Sequence, residues 1–182
     1  MTLSKSILLV LFLLITGTLI FLYYIGLFST IQIVEKETGP FIIVYEEHRG
    51  DYKGTARIQN DIYHSLLDKH DIETFRGFGI YYDDPKVVAR DDLRSIAGCI
   101  LEEQDHNTIK ELQEKGFLIK EVSKQNSIVA EFPYKNSFSI IAGIIKVYPE
   151  IEKYIKSENL PKNEMMEIYD VPSEKIIYIM KK

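Results

Sequence analysis

Twenty-two consecutive residues, Ile7 to Phe28, carry no charge, and a run of that length decides how the rest of the chain must be read. At about 1.5 Å of rise per residue it makes a helix of roughly 33 Å, enough to cross a hydrocarbon core of about 30 Å. Thr16 and Thr18 are its polar members, and both can bond back to carbonyls of their own helix. Tyr23 and Tyr24 fall near its end, where amphipathic rings favour the membrane interface. A cleaved signal peptide is the competing reading. Its apolar region spans only about 7–15 residues and ends at a small-x-small site, which Leu27-Phe28-Ser29-Thr30 does not provide. No cysteine directly follows the run, so a lipoprotein anchor does not fit either. The expected organisation is a tail at 1–6, a transmembrane helix at 7–28 and one domain at 29–182, a single-pass membrane protein. Lys5 at one flank against Glu35, Lys36 and Glu37 at the other leans the domain to the non-cytoplasmic side.

The domain is short enough to hold one core. Its composition excludes some functions. With a net charge of −5 and no basic stripe, the chain offers no field for nucleic acid, and none is expected as a partner. Cys99 is the single cysteine; between Gly98 and Ile100 it reads as a small buried hydrophobe rather than a reactive thiol.

Two stretches of the chain lie over one another without a gap. In Ile31–Tyr52 and Phe117–Phe138, Ile33 meets Ile119, Glu35 meets Glu121, Ile42 meets Ile128 and Ile43 meets Val129. Further on, Ile80–Pro85 matches Glu167–Pro172 after a shift of one residue. Each half reads as a short strand, a turn, a second strand rich in β-branched residues, a helix, and two more strands. The strands are expected at 31–35, 41–46, 76–82 and 94–101, then at 117–122, 128–132, 165–169 and 175–180. Ile58, Ile62, Tyr63, Leu66 and Leu67 make the apolar face of the first helix. Phe138, Ile141, Ala142, Ile145, Tyr148, Ile151 and Ile155 make that of the second. Pro149 should kink the second helix or restart it. Ile109, Leu112 and the stop at Gly116 mark a short linking helix. The expected fold is therefore α+β, with duplicated β-β-α-β-β units (halves 31–105 and 116–182) in two antiparallel layers about a pseudo-twofold axis. A groove should lie where the halves meet.

Four segments then carry a resemblance: His48–Tyr52 (HRGDY), Gly79–Pro85 (GIYYDDP), Arg94–Leu101 (RSIAGCIL) and Glu167–Tyr169 (EIY). In order and spacing the chain resembles the gyrase-inhibitor-like (GyrI-like) domains, the effector-binding domains of bacterial transcription activators. The Gly79–Pro85 and Arg94–Leu101 segments are also similar to those of a membrane-anchored receptor for selective autophagy of the endoplasmic reticulum. The resemblance implies a central groove for bulky, often cationic, aromatic compounds, with an acidic residue inside it. Glu167 matches that position. No helix-turn-helix is legible, so the activator role is not implied, and the chain has no tryptophan to line a broad aromatic pocket.

A carboxylate facing such a groove would attract cations, ring faces adding about 0.5–2 kcal/mol per cation–π contact, and burial would raise its pKa. Tyr81, Tyr82, Tyr169, Tyr45 and Tyr134 are candidates for the lining, since tyrosine offers a π-face and a hydroxyl. Alternation turns one ring of Tyr81-Tyr82 inward and the other outward; the expected ligand-binding residues are Glu167, Tyr82, Tyr169, Tyr45 and Tyr134. Asp83-Asp84-Pro85 reads as a turn. The histidines at 48, 64, 70 and 106 lack metal-ligand spacing, and neither a phosphate-cradling loop nor a nucleophile elbow is present. No metal and no cofactor are expected.

The leading expectation is a membrane-tethered module that binds a small amphipathic, cationic ligand. One alternative is a hydrolase of reactive electrophiles, with Glu167 as base and Tyr82 or Tyr169 orienting. Another is a protein–protein adaptor, its partner unspecified.

Overall fold

The computed structural model describes residues 2–102 and 106–182. Along helix α1 (Thr2–Tyr24) the apolar side chains from Ile7 to Phe21 face outward all round, and Thr18 Oγ1 donates to the Leu14 carbonyl at 2.8 Å. By length and composition it can cross a membrane. It does not leave the domain on a loose tether. Ile25 is buried in the core of the domain, with Leu22 and Leu27 packed beside it. Gly26 turns the chain there with φ +86, and a side chain at this position would press on Phe132 at 3.0 Å. Only glycine meets both demands cheaply.

The strands are β1 (Ile33–Thr38), β2 (Phe41–Arg49), β3 (Arg76–Tyr81), β4 (Arg94–Leu101), β5 (Leu118–Val122), β6 (Gln125–Pro133), β7 (Met165–Asp170) and β8 (Lys175–Lys181). Helix α2 (Thr55–His70) joins β2 to β3, α3 (His106–Glu114) joins β4 to β5, and α4 (Ser137–Ser157) joins β6 to β7. α4 runs through Pro149 without interruption. Among the described residues the strands form one curled antiparallel sheet in the order β1-β6-β8-β7-β3-β4-β2-β5. The two separate layers expected from the sequence are not what forms. β3 pairs edge to edge with β7, and β1 and β5 cross over to pair with β6 and β2. Joined this way, the halves expose no strand edges to one another.

Strand alternation sorts the apolar residues onto two faces. On one face, Val44, Ala97, Cys99 and Leu101 pack under Ile58, Ile62 and Leu66 of α2. Ile128, Ala130, Phe132 and Tyr178 pack under Ala142, Val147, Ile151 and Ile155 of α4. On the other, Ile43, Phe78, Ile80, Ile96, Ile100, Val129, Met166, Ile168 and Ile179 form a core of their own, with partly buried Tyr45 against it. Neither α2 nor α4 covers that second face; its side chains are buried against each other by the curl of the sheet. Cys99 is buried, and burial pushes its thiol up from the ordinary value.

The apolar face of α4 differs from expectation. Ala142, Ile151 and Ile155 are buried, but Phe138, Ile141 and Ile145 are exposed by 57%, 57% and 60%. Ser139 and Gly143 take the sheet side instead. Gly143 does so because a side chain there would sit on the Tyr178 hydroxyl. The start of α4 is apolar on several sides, so periodicity could not single out the buried stripe.

Candidate functional site

β7 sends Met166 and Ile168 into the inner core and Glu167 to the helix side. Glu167 is only 2% exposed. Its backbone partners are Gly79 on β3 and Tyr178 on β8, and directly opposed residues project to the same face. Gly79 has no side chain to compete for that space. The phenol of Tyr81 fills it instead, with Oη 2.6 Å from where a Cβ at 79 would lie.

Both carboxylate oxygens are held. Tyr148 Oη, from α4, donates to Oε1 at 2.7 Å, and Tyr169 Oη donates to Oε2 at 2.6 Å. Tyr169 Oη lies 3.5 Å from Tyr81 Oη, which lies 3.3 Å from Thr55 Oγ1 at the start of α2. Thr55 gives its one proton to the Tyr52 carbonyl at 2.8 Å, so toward Tyr81 it is an acceptor. The rings pack in the same sense: Tyr52 on Tyr81 at 4.7 Å, Tyr134 on Tyr169 at 5.9 Å and Tyr148 on Tyr178 at 5.9 Å. Residues from both halves and both long helices thus meet at one carboxylate.

Burial pushes the Glu167 carboxyl above its ordinary value, and the phenol donors Tyr169 and Tyr148 only partly oppose it. Burial, and then the charge of Glu167, drive Tyr148 and Tyr169 well above the ordinary tyrosine value; Tyr81 and Tyr178 are raised for the same reasons. Tyr148, Tyr169, Tyr81 and Tyr178 therefore stay neutral at neutral pH, and the first two donate to the carboxylate. Among the described residues no ion pair engages Glu167, although exposed ion pairs are plentiful elsewhere. An ionised buried carboxylate with no counter-charge costs several kcal/mol. Two phenol hydrogen bonds offset part of this, at about 1.5–3 kcal/mol each.

The cluster lies in a cavity of about 1710 Å³ between α2 and α4, larger than the roughly 300–1,000 Å³ that suits a drug-sized ligand. At one end its wall is apolar, with Phe75, Tyr134, Ile140, Ile141, Ile144 and Val171. At the other end Asp84, Lys86, Glu152 and Lys162 meet in salt bridges, Lys162 to Asp84 at 2.6 Å and to Glu152 at 3.6 Å, and Lys86 to Glu152 at 3.3 Å.

Of the residues selected from the sequence, Glu167, Tyr169 and Tyr134 come together. Tyr82 stands at the rim, 41% exposed and outside the hydrogen-bonded cluster; its neighbour Tyr81 is the ring that turns inward. Tyr45 lies on the other face of the sheet, out of the cavity, with the Lys120 ammonium 5.1 Å from its ring centre. Asp83 is taken up by Arg94 at 2.8 Å. The repeat frame also needs one correction. Ile80 belongs to the inner core and Glu167 to the cavity, so matching them slips the frame by one residue and reverses the faces. The frame used for 31–52 keeps faces, since Ile43 and Val129 are both inner residues. Tyr148 escaped sequence reasoning because its spacing matched the core stripe of a helix. The available signal was its hydroxyl, which needs a partner wherever it is buried.

Solved structures place this architecture. The chain superimposes on the EcmrR C-terminal domain with a TM-score of 0.59 at 9% identity, covering 84% of this chain and 98% of that one. It superimposes on SAV2435 bound to tetraphenylphosphonium with a TM-score of 0.51 at 10% identity, covering 84% and 93%. At such identities the likeness is one of fold, the GyrI-like α+β fold. No family model matches the sequence. Among curated proteins it is 31% identical over 165 residues to testis-expressed protein 264 of Homo sapiens, covering 86% of this chain and 50% of that protein. It is 30% identical over 132 residues to the testis-expressed protein 264 homolog of Mus musculus, covering 70% and 41%. The chain spans about half the length, or less, of these curated relatives.

Proposed function

We propose that this chain is a membrane-anchored binding protein that holds an amphipathic, cationic small molecule between two halves related by duplication. The observation that carries the reading is Glu167, buried in a cavity, gripped by two phenols and lacking a counter-ion. A ligand cation would complete the charge pairing, with tyrosine rings adding cation–π attraction of about 0.5–2 kcal/mol per contact. The structural neighbour SAV2435 is a protein whose structure holds tetraphenylphosphonium, which supports the same class of ligand for this cavity. Duplication is supported by the strand order, which reads the same backwards when β1 is exchanged with β5, β2 with β6, β3 with β7 and β4 with β8. Anchoring is supported by α1. The hydrolase alternative is disfavoured because both carboxylate oxygens are engaged; a water would have to displace a phenol before Glu167 could act as base.

The test is a thermal-shift titration of the full chain in detergent with tetraphenylphosphonium. At a hundredfold excess over Kd a one-site ligand stabilises by about 2.7 kcal/mol. Glu167→Gln should remove the shift; an equal shift in the variant would rule out the charged-groove reading.

A further inference from the structure

The apolar mouth of the cavity and the root of α1 lie at the same end of the sheet. Strand registers place Pro133, Lys175, Asp170 and Arg76 in one row across β6, β8, β7 and β3. At one end of this row a side chain on Gly26, just past α1, would lie 3.3 Å from Pro133. Phe75 and Val171 lie just beyond the row and are joined by the Val171 amide donating to the Phe75 carbonyl; they are 45% and 60% exposed. α4 starts at this end as well. Phe138 meets Phe21 of α1 edge to face at 5.5 Å, and Ile141, Ile144 and Ile145 continue as an exposed apolar surface over the next two turns. Ile141, Ile144, Phe75 and Val171 also line the cavity. Several charged groups at this end are paired, Lys135 with Glu174, Lys175 with Glu131 and Arg76 with Glu102, which lowers the cost of bringing them toward a less polar medium. Isolated exposed apolar residues need no explanation, but a contiguous apolar rim continuous with a candidate membrane helix does.

We infer that this rim sits in the headgroup–acyl boundary of the bilayer that holds α1, so that the cavity opens into the leaflet and takes its ligand laterally. The inference rests on the anchored, ligand-binding reading above and narrows the ligand to a membrane-partitioning amphiphile. Its polar group reaches Glu167 midway along the groove while its apolar body lies along Ile140, Ile141 and Ile144. The opposite end is strapped by the Asp84, Lys86, Glu152 and Lys162 salt bridges, leaving the apolar end as the way in.

The chain has no tryptophan, so single reporters are unambiguous. Full-length protein carrying Phe75→Trp, Ile141→Trp or Val87→Trp is placed in nanodiscs with and without brominated phosphatidylcholine. Val87 follows the far end of β3 and is 82% exposed. Tryptophans at 75 and 141 should emit blue-shifted light and lose most of it to the bromolipid, whereas that at 87 should be unaffected. Should Phe75→Trp not fold, Val171→Trp reports the same rim. If the rim tryptophans behave like the one at 87, or are buried by a second copy of the chain without lipid quenching, the inference is overturned. Tetraphenylphosphonium titrated into unmodified protein separates the two readings. Quenching without cation binding removes the ligand and keeps the docking; binding without quenching does the reverse.

Discussion

Gly79 and Glu167 face each other as backbone partners across the β3–β7 seam, and the phenol of Tyr81 lies over the glycine. A missing side chain in one half therefore makes room for the charge of the other and for the tyrosine that links it to α2. The site exists only because the two halves share one sheet.

Gly79→Ala should disturb the site without unfolding the chain. The new methyl would fall 2.6 Å from Tyr81 Oη and 2.7 Å from its Cζ, so the ring must swing out and the contact with Tyr169 is lost. Overpacking of this kind costs about 1–3 kcal/mol. Urea unfolding should show an unfolding free energy lowered by about that amount, together with weaker cation binding; an unchanged free energy would mean the ring moves freely.

Tyr148→Phe keeps the ring and deletes the donor to Oε1. A hydrogen bond to a charged group contributes about 1.5–3 kcal/mol, and the loss should grow as pH rises through the titration of Glu167, whose folded value is raised by burial. Tyr45→Phe, on the far face, should change stability by less than about 0.5 kcal/mol. Equal effects of the two variants in urea titrations would contradict the placement of the site.

Much of this was visible in the sequence, and the gaps have physical causes. Arg94–Leu101 was read as a strand to the residue, since a run of apolar residues there ends abruptly in charge. The joining of β3 to β7 was not visible because pairing between distant edges leaves no local pattern. Glu167 was reached through resemblance, and Tyr169 by proximity to it. Tyr81 was passed over for Tyr82 because alternation says that the two rings diverge without saying which turns inward. Phe138 and Ile141 read as core because an apolar helix stripe looks the same in sequence whether it is buried against a sheet or left exposed, as it is here.

Stability should fall as pH rises through the titration of Glu167. Its folded value is raised above the ordinary 4.5, so between the two values the folded state binds more protons than the unfolded one, and unfolding becomes easier with rising pH. The facing phenols of Tyr148, Tyr169, Tyr81 and Tyr178 are raised away from that window and do not contribute. Carboxylates with lowered values, such as Asp84 beside Lys162, act in the opposite sense. The difference in Tm between wild type and Glu167→Gln isolates the effect: wild type should lose ground to the variant as pH rises from about 4.5. A pH-independent difference would contradict the burial argument.

Tyr178 carries a buried hydroxyl with no hydrogen-bond partner among the described residues, and Gly143 is the residue that admits it. An unsatisfied buried polar group costs about 1–3 kcal/mol, so Tyr178→Phe should be neutral or stabilising. Gly143→Ala should be destabilising alone and much less so beside Tyr178→Phe. A double-mutant cycle in chemical denaturation measures that coupling; simple additivity would show that the two residues do not share the space.

The most direct test is calorimetry of tetraphenylphosphonium binding to the full chain in buffers of different ionisation enthalpy, at a series of pH values upward from the ordinary 4.5. A cation arriving beside a carboxyl of raised pKa should drive its proton off. The heat should therefore depend on the buffer in wild type, with proton release, and Glu167→Gln should bind at least tenfold more weakly with no such dependence. Equal affinity in the two proteins and a buffer-independent heat would show that Glu167 is not what receives the ligand.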